Sequence, residues 1–318
     1  MNIAVILCTY NRARSLAVAL ESVAASRMAE DSAWEVVVVD NNSSDETPNV
    51  VHGFQERFPN RFRYIFEPTP GKSHALNRAL RETDAEIVAF MDDDVQVDPD
   101  WLRQLTKIFD NKEYAGSGGR ILPESGFQPP VWLKVLSPYA LAPIAMFDLG
   151  PDAGDLHEPP FGTNMAFRRR VFAQCGDFRR DLGPRPGSEI RSEDTEFGMR
   201  VLRAGERLWY EPSAIVHHMV PSHRVKQEYF LKWWFAKGRG DVREGIFQHE
   251  KRLSISGVPL VLFRRTLVWG VRWLVSISPS RRYDCKAKVW WLAGEIKESF
   301  AAVQMRRARN LAHPQGTP

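Results

Sequence analysis

Three consecutive carboxylates, Asp92, Asp93 and Asp94, directly follow an apolar run over residues 87–91. Adjacent acids repel one another, so a fold that keeps them at a strand tip needs compensation, usually from a divalent cation. Mg²⁺ and Mn²⁺ prefer carboxylate oxygens and typically keep open positions for water and substrate phosphates. The alternative is a solvated acidic turn, because residues 98–100 (Asp-Pro-Asp) begin the next predicted helix. Open α/β sheets bind ligands at the carboxyl ends of their strands, which favours the metal site.

A second pair of acids, Glu193 and Asp194, stands at the predicted start of a helix, with Ser192 as its N-cap. Acids in the first turn interact favourably with the helix dipole, so a purely structural role is one interpretation. The loop over residues 183–187 has a glycine at each end and indicates that the start of this helix borders a cleft. In the second interpretation the pair belongs to a functional site.

Two adjacent histidines, His217 and His218, end the last predicted strand of this region. Successive side chains on a strand point to opposite faces, so at most one of the two faces a metal. On the residues alone, a structural histidine is the favoured interpretation of each.

The elements that must position these residues alternate between strands and helices. Strands are predicted over residues 3–7, 34–39, 62–66, 87–91, 115–121, 161–167, 207–210 and 214–216, and helices from the N-cap Ser15 and over residues 47–57, 73–81 and 99–109. This alternation is typical of an α/β fold with a doubly wound, mostly parallel sheet and flanking helices. The polar clusters at residues 9–12, 40–45 and 92–94 then share one edge of the sheet and form a single crevice.

Two nucleotide-binding motifs are excluded. Residues 71–73 (Gly-Lys-Ser) end like a phosphate-binding P-loop, but the position at which that motif requires its first glycine is Phe66. No Gly-x-Gly-x-x-Gly follows the first predicted strand. A nucleotide that binds here is therefore held by residues outside these two motifs.

Residues 123–160 contain eight prolines and predict a long irregular segment. Loops of this length in a compact domain are usually functional or disordered. Aromatic residues, among them Phe127, Trp132 and Phe147, favour a surface that covers substrate.

The composition, with 43% apolar and 26% charged residues over 318 positions, is that of a globular protein. Three widely spaced cysteines predict no disulfide framework and indicate a reducing compartment. The N-terminus lacks the features of a signal peptide, and we find no apolar run long enough to predict a spanning helix. We therefore expect a cytoplasmic protein.

The net charge of +4 hides a strong asymmetry along the chain. Residues 222–318 hold 19 Lys or Arg against 7 Asp or Glu, and six of the ten Trp. Residues 1–221 carry a net charge of −8. The basic tail predicts a polyanionic partner, either nucleic acid or an anionic membrane surface.

Seven stretches in a fixed order make the chain similar to family 2 glycosyltransferases of the GT-A fold. They are residues 9–12 (Thr-Tyr-Asn-Arg), 36–45, 71–72 with 75–77, 91–94, 162–168, 193–194 and 210–218. The resemblance covers roughly residues 1–220, and the last hundred residues are not matched with comparable specificity.

The resemblance implies a metal and a catalytic base. A divalent cation, Mn²⁺ or Mg²⁺, is expected at Asp94, Asp92 and His218, with His217 as the less favoured alternative. Asp194 is expected to take the proton from the acceptor hydroxyl. One base opposite one leaving group means inversion, by analogy with single-displacement glycoside chemistry.

The resemblance also implies binding sites for the donor and the acceptor. Asp40 is expected to accept from the imide of a uracil- or thymine-type base, and Lys72 to reach the diphosphate. The implied donor site consists of Thr9, Tyr10, Asn11, Arg12, Asp40, Asn42, Lys72, Asn77, Asp92 and Asp93, and the acceptor site of Trp132, Asn164 and Glu193.

By this implication the protein moves one sugar from a nucleoside diphosphate sugar, a UDP-sugar, to a hydroxyl of a glycan or lipid-linked glycan. Processive relatives carry Gln-x-x-Arg-Trp, which residues 227–234 do not match, so single transfer is favoured over polymerisation. Residues 1–221 are expected to form the catalytic domain, with the donor part over 1–122 and the acceptor part over 123–221. Residues 222–318 are expected to form a basic, Trp-rich helical extension.

Within the extension, residues 258–277 predict a helix at a membrane surface. Arg264, Arg265 and Arg272 fall within about a 100° arc, and Trp269 and Trp273 lie beyond its edge. A cationic face with Trp and Leu opposite fits a helix that lies on the anionic cytoplasmic leaflet, as part of a peripheral protein. The alternative is that the apolar face packs on the catalytic domain.

Two other functions fit the sequence less well. A sugar-phosphate nucleotidyltransferase needs a Gly-rich, basic loop after the first strand, and residues 9–14 contain no glycine. A nucleic-acid-binding protein needs basic and aromatic residues interleaved on a groove or sheet, whereas the tail has helical periodicity. We therefore expect no nucleic acid as partner.

Overall fold

The computed structural model describes residues 1–28, 32–133, 140–245 and 253–312, with side chains as far as residue 305. Part of the long segment over residues 123–160, namely residues 134–139, thus lies outside the described residues. The described residues form two compact units, the first from residues 1–127, 135–188 and 193–221, the second from residues 128–134, 189–192 and 222–318. The first unit contains the sheet, and the second is mainly helical.

Four parallel strands and the helices that connect them form the N-terminal half of the first unit. The strands are β1 (Asn2–Thr9), β2 (Ala33–Asp40), β3 (Phe62–Phe66) and β4 (Ile87–Asp92), and the helices are α1 (Ala13–Ala24), α2 (Thr47–Arg57), α3 (Lys72–Glu82) and α4 (Trp101–Lys107). The strands lie in the order β3-β2-β1-β4, and all three pairings are parallel. This arrangement confirms the predicted doubly wound α/β sheet.

Burial on both faces explains the continuous apolar composition of these strands. Residues 3–7 of β1 and 36–39 of β2 have no exposed surface. The strand register pairs Thr9 with Asp40 and Cys8 with Asp92. The ends of β1, β2 and β4 therefore meet at one edge, and the polar residues that follow them share that edge, as predicted.

The rest of the sheet is joined to the parallel strands through an antiparallel strand. The remaining elements of the first unit are β5 (Val95–Val97), β6 (Tyr114–Pro123), β7 (Gly154–Leu156), β8 (Asn164–Arg168), α5 (Arg170–Cys175), α6 (Glu193–Arg203) and β9 (Arg207–His218). Strand β8 lies antiparallel between β4 and β6, and β6 runs parallel to β9. Strands β5 and β7 pair antiparallel with β9, which brings the described part of the sheet to nine strands.

Several local details differ from the sequence-based expectation, and β7 lies within the segment that was predicted to be irregular. Helix α1 begins at Ala13, before the predicted cap Ser15, because Asp45 of the loop after β2 accepts a 2.9 Å hydrogen bond from the Ala13 N–H. The two strands expected near residues 207–216 are one strand, β9, whose register with β6 shifts between Gly119 and Arg120. Strand β5 was not predicted, since three residues are too few for a period to show.

The second unit consists mainly of three described helices, α7 (Gln227–Glu244), α8 (Leu260–Val275) and α9 (Pro279–Ala312), with a short hairpin of β10 (Ser254–Ile255) and β11 (Val258–Pro259). Helices α7 and α8 both pack on α9. A Cβ atom at Gly238 would come within 2.0 Å of the Trp291 carbonyl oxygen, so glycine is needed where α7 crosses α9. Glu298 of α9 also pairs with Arg239 and Arg243 of α7. Across the described helices, none combines the length and the apolar composition that crossing a membrane requires.

Candidate active site

An arginine links the acidic tip of β4 to the end of β1. Arg12 Nη1 lies 2.8 Å from Asp93 Oδ1 and 3.0 Å from Asp94 Oδ2. Thr9, the last residue of β1, donates its hydroxyl to Asp93 Oδ2 at 2.8 Å. Asp93 and Asp94 are only 5% and 8% exposed. Burial raises the pKa of Asp93 to about 6, although the charge of Arg12 opposes that rise.

Lys72 neutralises the remaining acid of the cluster. It is the first residue of α3, and Gly71 before it has a φ of 135°, in a region that favours glycine. Lys72 Nζ donates to Asp92 Oδ1 at 2.7 Å and lies 3.6 Å from Glu193 Oε1. Burial alone would lower the pKa of Lys72, but the charges of Asp92 and Glu193 raise it. Burial would likewise raise the pKa of Asp92, but the charge of Lys72 and the hydrogen bonds from Lys72 and Thr163 together lower it.

Two adjacent residues of the loop before β8 hold Asp92 and Asp194. The Thr163 hydroxyl donates to Asp92 Oδ2 at 2.6 Å, and the Gly162 N–H donates to Asp194 Oδ2 at 2.7 Å. The Thr195 N–H, in the first turn of α6, donates to Asp194 Oδ1 at 2.7 Å. Asp194 therefore combines the helix-start hydrogen bond of the structural interpretation with a position beside the acidic cluster.

Glu193 is the more buried of the two acids in the first turn of α6, with 3% of its surface exposed. Burial raises its pKa to about 7, the charge of Lys72 opposes the rise, and the charge of Asp194 adds to it. A carboxyl group with a pKa near neutrality exchanges its proton at physiological pH. The cause is tertiary burial, which the sequence of the first turn does not reveal.

Asp40 ends β2 and has no exposed surface. Its Oδ1 accepts from the Ser43 N–H at 2.9 Å, and its Oδ2 accepts from the Tyr64 hydroxyl at 2.8 Å. Burial and the hydrogen bond to Asp40 raise the pKa of the Tyr64 hydroxyl, which therefore remains a donor. Nothing in the sequence marked Tyr64, because it lies within an ordinary strand, β3.

The loops after β1 and β2 are tied to each other at the same edge. Asn11 Oδ1 accepts from the Ser44 N–H at 2.7 Å, and the Asn11 N–H donates to Ser43 Oγ at 2.9 Å. Asn11 and Asn42 have φ values of 52° and 67°, which asparagine tolerates better than most residues. The side chains of Tyr10 and Asn42 are exposed beside these loops.

A buried asparagine that sequence reasoning missed, Asn41, positions the start of α3. Its Oδ1 accepts from the Gly71 N–H at 2.7 Å. Its Nδ2 donates to the carbonyl oxygens of Glu67 and Thr69 at 3.1 and 2.7 Å. Asn41 thereby fixes the turn that delivers Lys72. Its place directly after Asp40 in a polar cluster was the one available signal.

Asn77, predicted to bind the donor, is buried in the first unit. Its amide group exchanges two hydrogen bonds with the backbone of Phe178, at 2.8 and 3.0 Å. A direct contact with donor would have to replace bonds that already satisfy this side chain.

Asn164 and Trp132, predicted to contact the acceptor, have different surroundings. Asn164 has no exposed surface, and it hydrogen-bonds the indole of Trp101 and the carbonyl oxygens of Arg120 and Ala214. It therefore links β8 to α4, β6 and β9. Trp132 belongs to the second unit, where its ring centroid lies 4.5 Å from that of Tyr283.

The adjacent histidines at the end of β9 have different partners, as the strand alternation predicts. His218 is 1% exposed, and its Nε2 lies 3.4 Å from Asp94 Oδ1. His217 Nε2 lies 3.0 Å from Asp98 Oδ1, outside the acidic cluster. Of the two, His218 is thus the histidine that faces the acids.

The predicted metal ligands, Asp92, Asp94 and His218, offer carboxylate oxygens of the kind that Mn²⁺ and Mg²⁺ prefer, and one imidazole. Within the described residues, no three His, Cys, Asp or Glu side chains converge on a point that would hold a metal ion. Instead, Lys72 engages Asp92 and Arg12 engages Asp94. The donor set fits a divalent cation, but its two carboxylates are paired with cations of the protein itself.

The fold, with carboxylates at the tip of β4 and at the start of α6, is of the GT-A type, and solved structures share it. The mannosyltransferase PcManGT from Pyrobaculum calidifontis, in complex with GDP-Man and Mn²⁺, matches with a TM-score of 0.58 at 20% identity, over 99% of this chain and 76% of that chain. S. aureus TarS 1–349 in complex with UDP matches with a TM-score of 0.50 at 18% identity, over 95% of this chain and 92% of that chain. At these identities the likeness establishes the fold.

Sequence comparison gives the family. The Glycosyl transferase family 2 model matches residues 4–176, which is more than half of the chain. The succinoglycan biosynthesis protein ExoM of Rhizobium meliloti is 28% identical over 234 residues, 73% of this chain and 72% of that protein. The glucosyl-dolichyl phosphate glucuronosyltransferase of Haloferax volcanii is 23% identical over 240 residues, 74% of this chain and 75% of that protein. The chain belongs to glycosyltransferase family 2.

Proposed function

We propose that this glycosyltransferase is an inverting enzyme that moves one sugar from a UDP-sugar to a hydroxyl of a glycan or lipid-linked glycan. We further propose Mn²⁺ or Mg²⁺ as its cofactor and the cytoplasmic face of an anionic membrane as its location. One observation carries the reaction: Gly162 and Thr163, adjacent in the chain, hold Asp194 and Asp92. A proton acceptor thus stands beside the carboxylates where the charge of a diphosphate must be neutralised.

The buried carboxylate of Asp40 supports a pyrimidine nucleotide. Ser43 and Tyr64 fix its orientation from two sides, and each oxygen keeps a lone pair for the imide N–H of uracil. Because Asp40 has no exposed surface, the residues around it must open for the base to reach it. Guanine also offers N–H donors, and the PcManGT complex contains GDP-Man. GDP-sugars are therefore the necessary comparison in a donor screen. Thr9, Tyr10, Asn11, Arg12 and Asn42 lie on the same edge and complete the proposed nucleoside site.

The cations of the cluster support a diphosphate site. Lys72 carries a compact charge at the start of α3, and Arg12 carries a second charge at the end of β1. Both suit phosphate oxygens. A divalent cation held by Asp94, Asp92 and His218 would neutralise the diphosphate as the sugar leaves. The Mn²⁺ in the PcManGT complex supports this choice of cofactor.

The position of Asp194 supports a single displacement. As general base it takes the proton of the acceptor hydroxyl while the Gly162 and Thr195 N–H groups hold its carboxylate in place. In a single displacement the sugar forms no covalent intermediate with a carboxylate of the enzyme, so its anomeric configuration inverts. Glu193 remains the proposed acceptor-side residue, because Asn164 is fully buried with its amide group already hydrogen-bonded.

The names of relatives support the acceptor class. ExoM is named for succinoglycan biosynthesis, and the Haloferax volcanii relative is named for transfer to glucosyl-dolichyl phosphate. A growing glycan and a lipid-linked glycan both present a sugar hydroxyl. We therefore propose such an acceptor for this chain.

A donor screen tests the proposal. Thermal unfolding is followed with UDP-, GDP- and dTDP-sugars, each with Mn²⁺ and with EDTA, because a ligand that binds the folded state raises the unfolding midpoint. We expect one UDP-sugar to protect in the presence of metal only, and NMR of the transferred product to show inverted anomeric configuration. Protection by GDP-sugars alone would overturn the donor assignment, and a retained configuration would overturn the single displacement.

A further inference from the structure

Helix α8 has an exposed apolar face. The exposed large side chains on this helix are Leu260, Leu267, Val268, Val271, Leu274 and Val275, followed by Ile277 just beyond its end. At 100° per residue, the six helical positions fall within an arc of about 120°. Leu267, Leu274 and Val275 are each about 70% exposed, which is unusual for aliphatic side chains that lie side by side. We call this arc the outer face of α8.

The opposite side of α8 is packed within the second unit. Leu262 is fully buried against Val258 and Leu292, and Trp269 packs on the same cluster. Trp273 lies 6.0 Å from Trp290 of α9, measured between ring centroids. The sequence predicted that Trp and Leu would share the face opposite the arginines. The structure corrects this: the tryptophans pack towards α9, and leucines and valines are left outside.

Cations greatly outnumber acids in and next to α8. Residues 254–290 contain seven Lys or Arg and one acid, Asp284. Arg264 lies within the outer face and Arg272 about 40° beyond its edge, and both are exposed. An apolar stripe with cations and no exposed acid complements a surface of acyl chains and anionic headgroups.

We infer that the outer face of α8 is the surface through which this protein binds an anionic lipid bilayer, with the helix lying in the plane of the membrane. This inference deepens the membrane part of the proposed function. The aliphatic side chains enter the boundary between headgroups and acyl chains, and Arg264 and Arg272 reach back to lipid phosphates. With 16 residues, α8 is about 24 Å long, shorter than the roughly 30 Å core of a bilayer.

A second copy of the chain is a poorer occupant of this face. Helix α8 contains no acidic residue, so two outer faces packed together would enclose Arg264 without a partner from either α8. An arginine buried without a counter-charge is costly. Lipid phosphates provide that counter-charge at the depth where the long arginine side chain ends.

Vesicle flotation of the full chain tests the inference. The vesicles are phosphatidylcholine alone and phosphatidylcholine mixed with phosphatidylglycerol, at about 0.1 M and about 1 M KCl, where the Debye length falls from about 10 Å to about 3 Å. The variants are Leu267→Glu, in the middle of the outer face, and the control Val131→Glu, which adds the same charge at another fully exposed aliphatic residue. Glutamate is a good helix former, so α8 itself should persist in the first variant.

We expect the wild type and Val131→Glu to bind the anionic vesicles, and Leu267→Glu to bind them at least tenfold more weakly. We expect binding to weaken in high salt. Equal binding by Leu267→Glu, or an equal loss in Val131→Glu, would overturn the assignment of this face. Concentration-dependent dimers that Leu267→Glu abolishes, without vesicle binding by the wild type, would identify a second copy as the occupant instead.

Nucleotide-sugar protection of the same proteins separates this inference from the proposed reaction. Leu267→Glu should keep the donor protection of the wild type, because α8 contributes no side chain to the donor site. Vesicle binding without any donor protection would leave the membrane surface standing and overturn the proposed donor. Donor protection without vesicle binding would leave the proposed donor standing and overturn the membrane surface.

Discussion

The ammonium group of Lys72 lies 2.7 Å from Asp92 and 3.6 Å from Glu193, so one partly buried cation serves a partly buried acid and a buried one. The closer acid has the lowered pKa, and the farther acid has a pKa raised to about 7. A pair of carboxyl groups whose environments drive their pKa values apart is a feature of sites that hold and move protons. Asp92 is thus ionised near neutral pH, where Glu193 is partly protonated.

The raised pKa of Glu193 predicts how stability depends on pH. The folded protein binds this proton more tightly than the unfolded chain, so the free energy of unfolding falls as pH rises from about 4.5 to about 7. The effect is roughly 3 kcal/mol in full. Glu193→Gln should make this slope smaller, measured by urea unfolding at about pH 5 and about pH 8, and the raised pKa of Asp93 should keep part of it. The exposed Glu56→Gln is the control and should keep the wild-type slope, and an unchanged slope in Glu193→Gln would contradict the assignment.

Thr163→Val should slow transfer without unfolding the protein. Valine has nearly the same shape but cannot donate to Asp92 Oδ2. Hydrogen bonds to charged groups contribute about 1.5–3 kcal/mol, which corresponds to a roughly ten- to hundredfold fall in kcat/KM. Thr106→Val, which removes a buried hydroxyl bound to Leu102 in α4, is the matched control. Equal kcat/KM for Thr163→Val and wild type would show that the hydroxyl does not position Asp92.

Asp194→Asn should separate binding from chemistry. The amide keeps the size of the side chain and can still accept a helix-start hydrogen bond, but it cannot take a proton. We expect the affinity for donor, measured by calorimetry, to change little and the transfer rate to fall by at least roughly 10²-fold. Wild-type turnover in this variant would return Asp194 to the purely structural role of a first-turn acid.

Asp94→Ala should abolish metal-dependent donor binding and leave the fold intact. The substitution removes one of three adjacent acids and relieves their repulsion, so the stability measured in EDTA should be no lower than that of the wild type. Asp93 keeps the link to Arg12. Binding of UDP is measured with and without Mn²⁺. Asp98→Ala, which removes the partner of His217 outside the cluster, is expected to retain metal-dependent binding. Wild-type affinity for UDP with Mn²⁺ in Asp94→Ala would exclude Asp94 from the metal site.

The strands and their shared edge could be predicted because their causes are local. Burial on both faces leaves continuous apolar runs, and parallel pairing brings the polar residues after β1, β2 and β4 together. The short β5 and the continuous β9 could not be predicted, since they depend on pairing with distant strands. The orientation of α8 escaped prediction for the same reason, because packing against α9 decides which side of the helix Trp269 and Trp273 occupy.

The candidate site was predictable as a set of charges but not as a set of contacts. Asp92, Asp93, Asp94 and Asp194 stand out by type and spacing. Tyr64 and Asn41 do not, because their importance comes from what the fold places opposite them. The pKa of Glu193 likewise arises from burial beside Lys72, which is more than a hundred positions away in sequence.

The hydrogen bonds that build this site join residues far apart along the chain. Thr9 and Asp93 are 84 positions apart, Asp92 and Thr163 are 71 apart, and Ser73 reaches the Leu182 carbonyl across 109 positions. Closing such separations costs chain entropy before any packing repays it, which makes folding slow. During synthesis, a chain that has emerged as far as residue 122 already carries most donor-side residues but lacks Gly162, Thr163 and Asp194. The growing polypeptide therefore lacks the proposed base, and the backbone N–H that holds it, until α6 and the loop before β8 have left the ribosome.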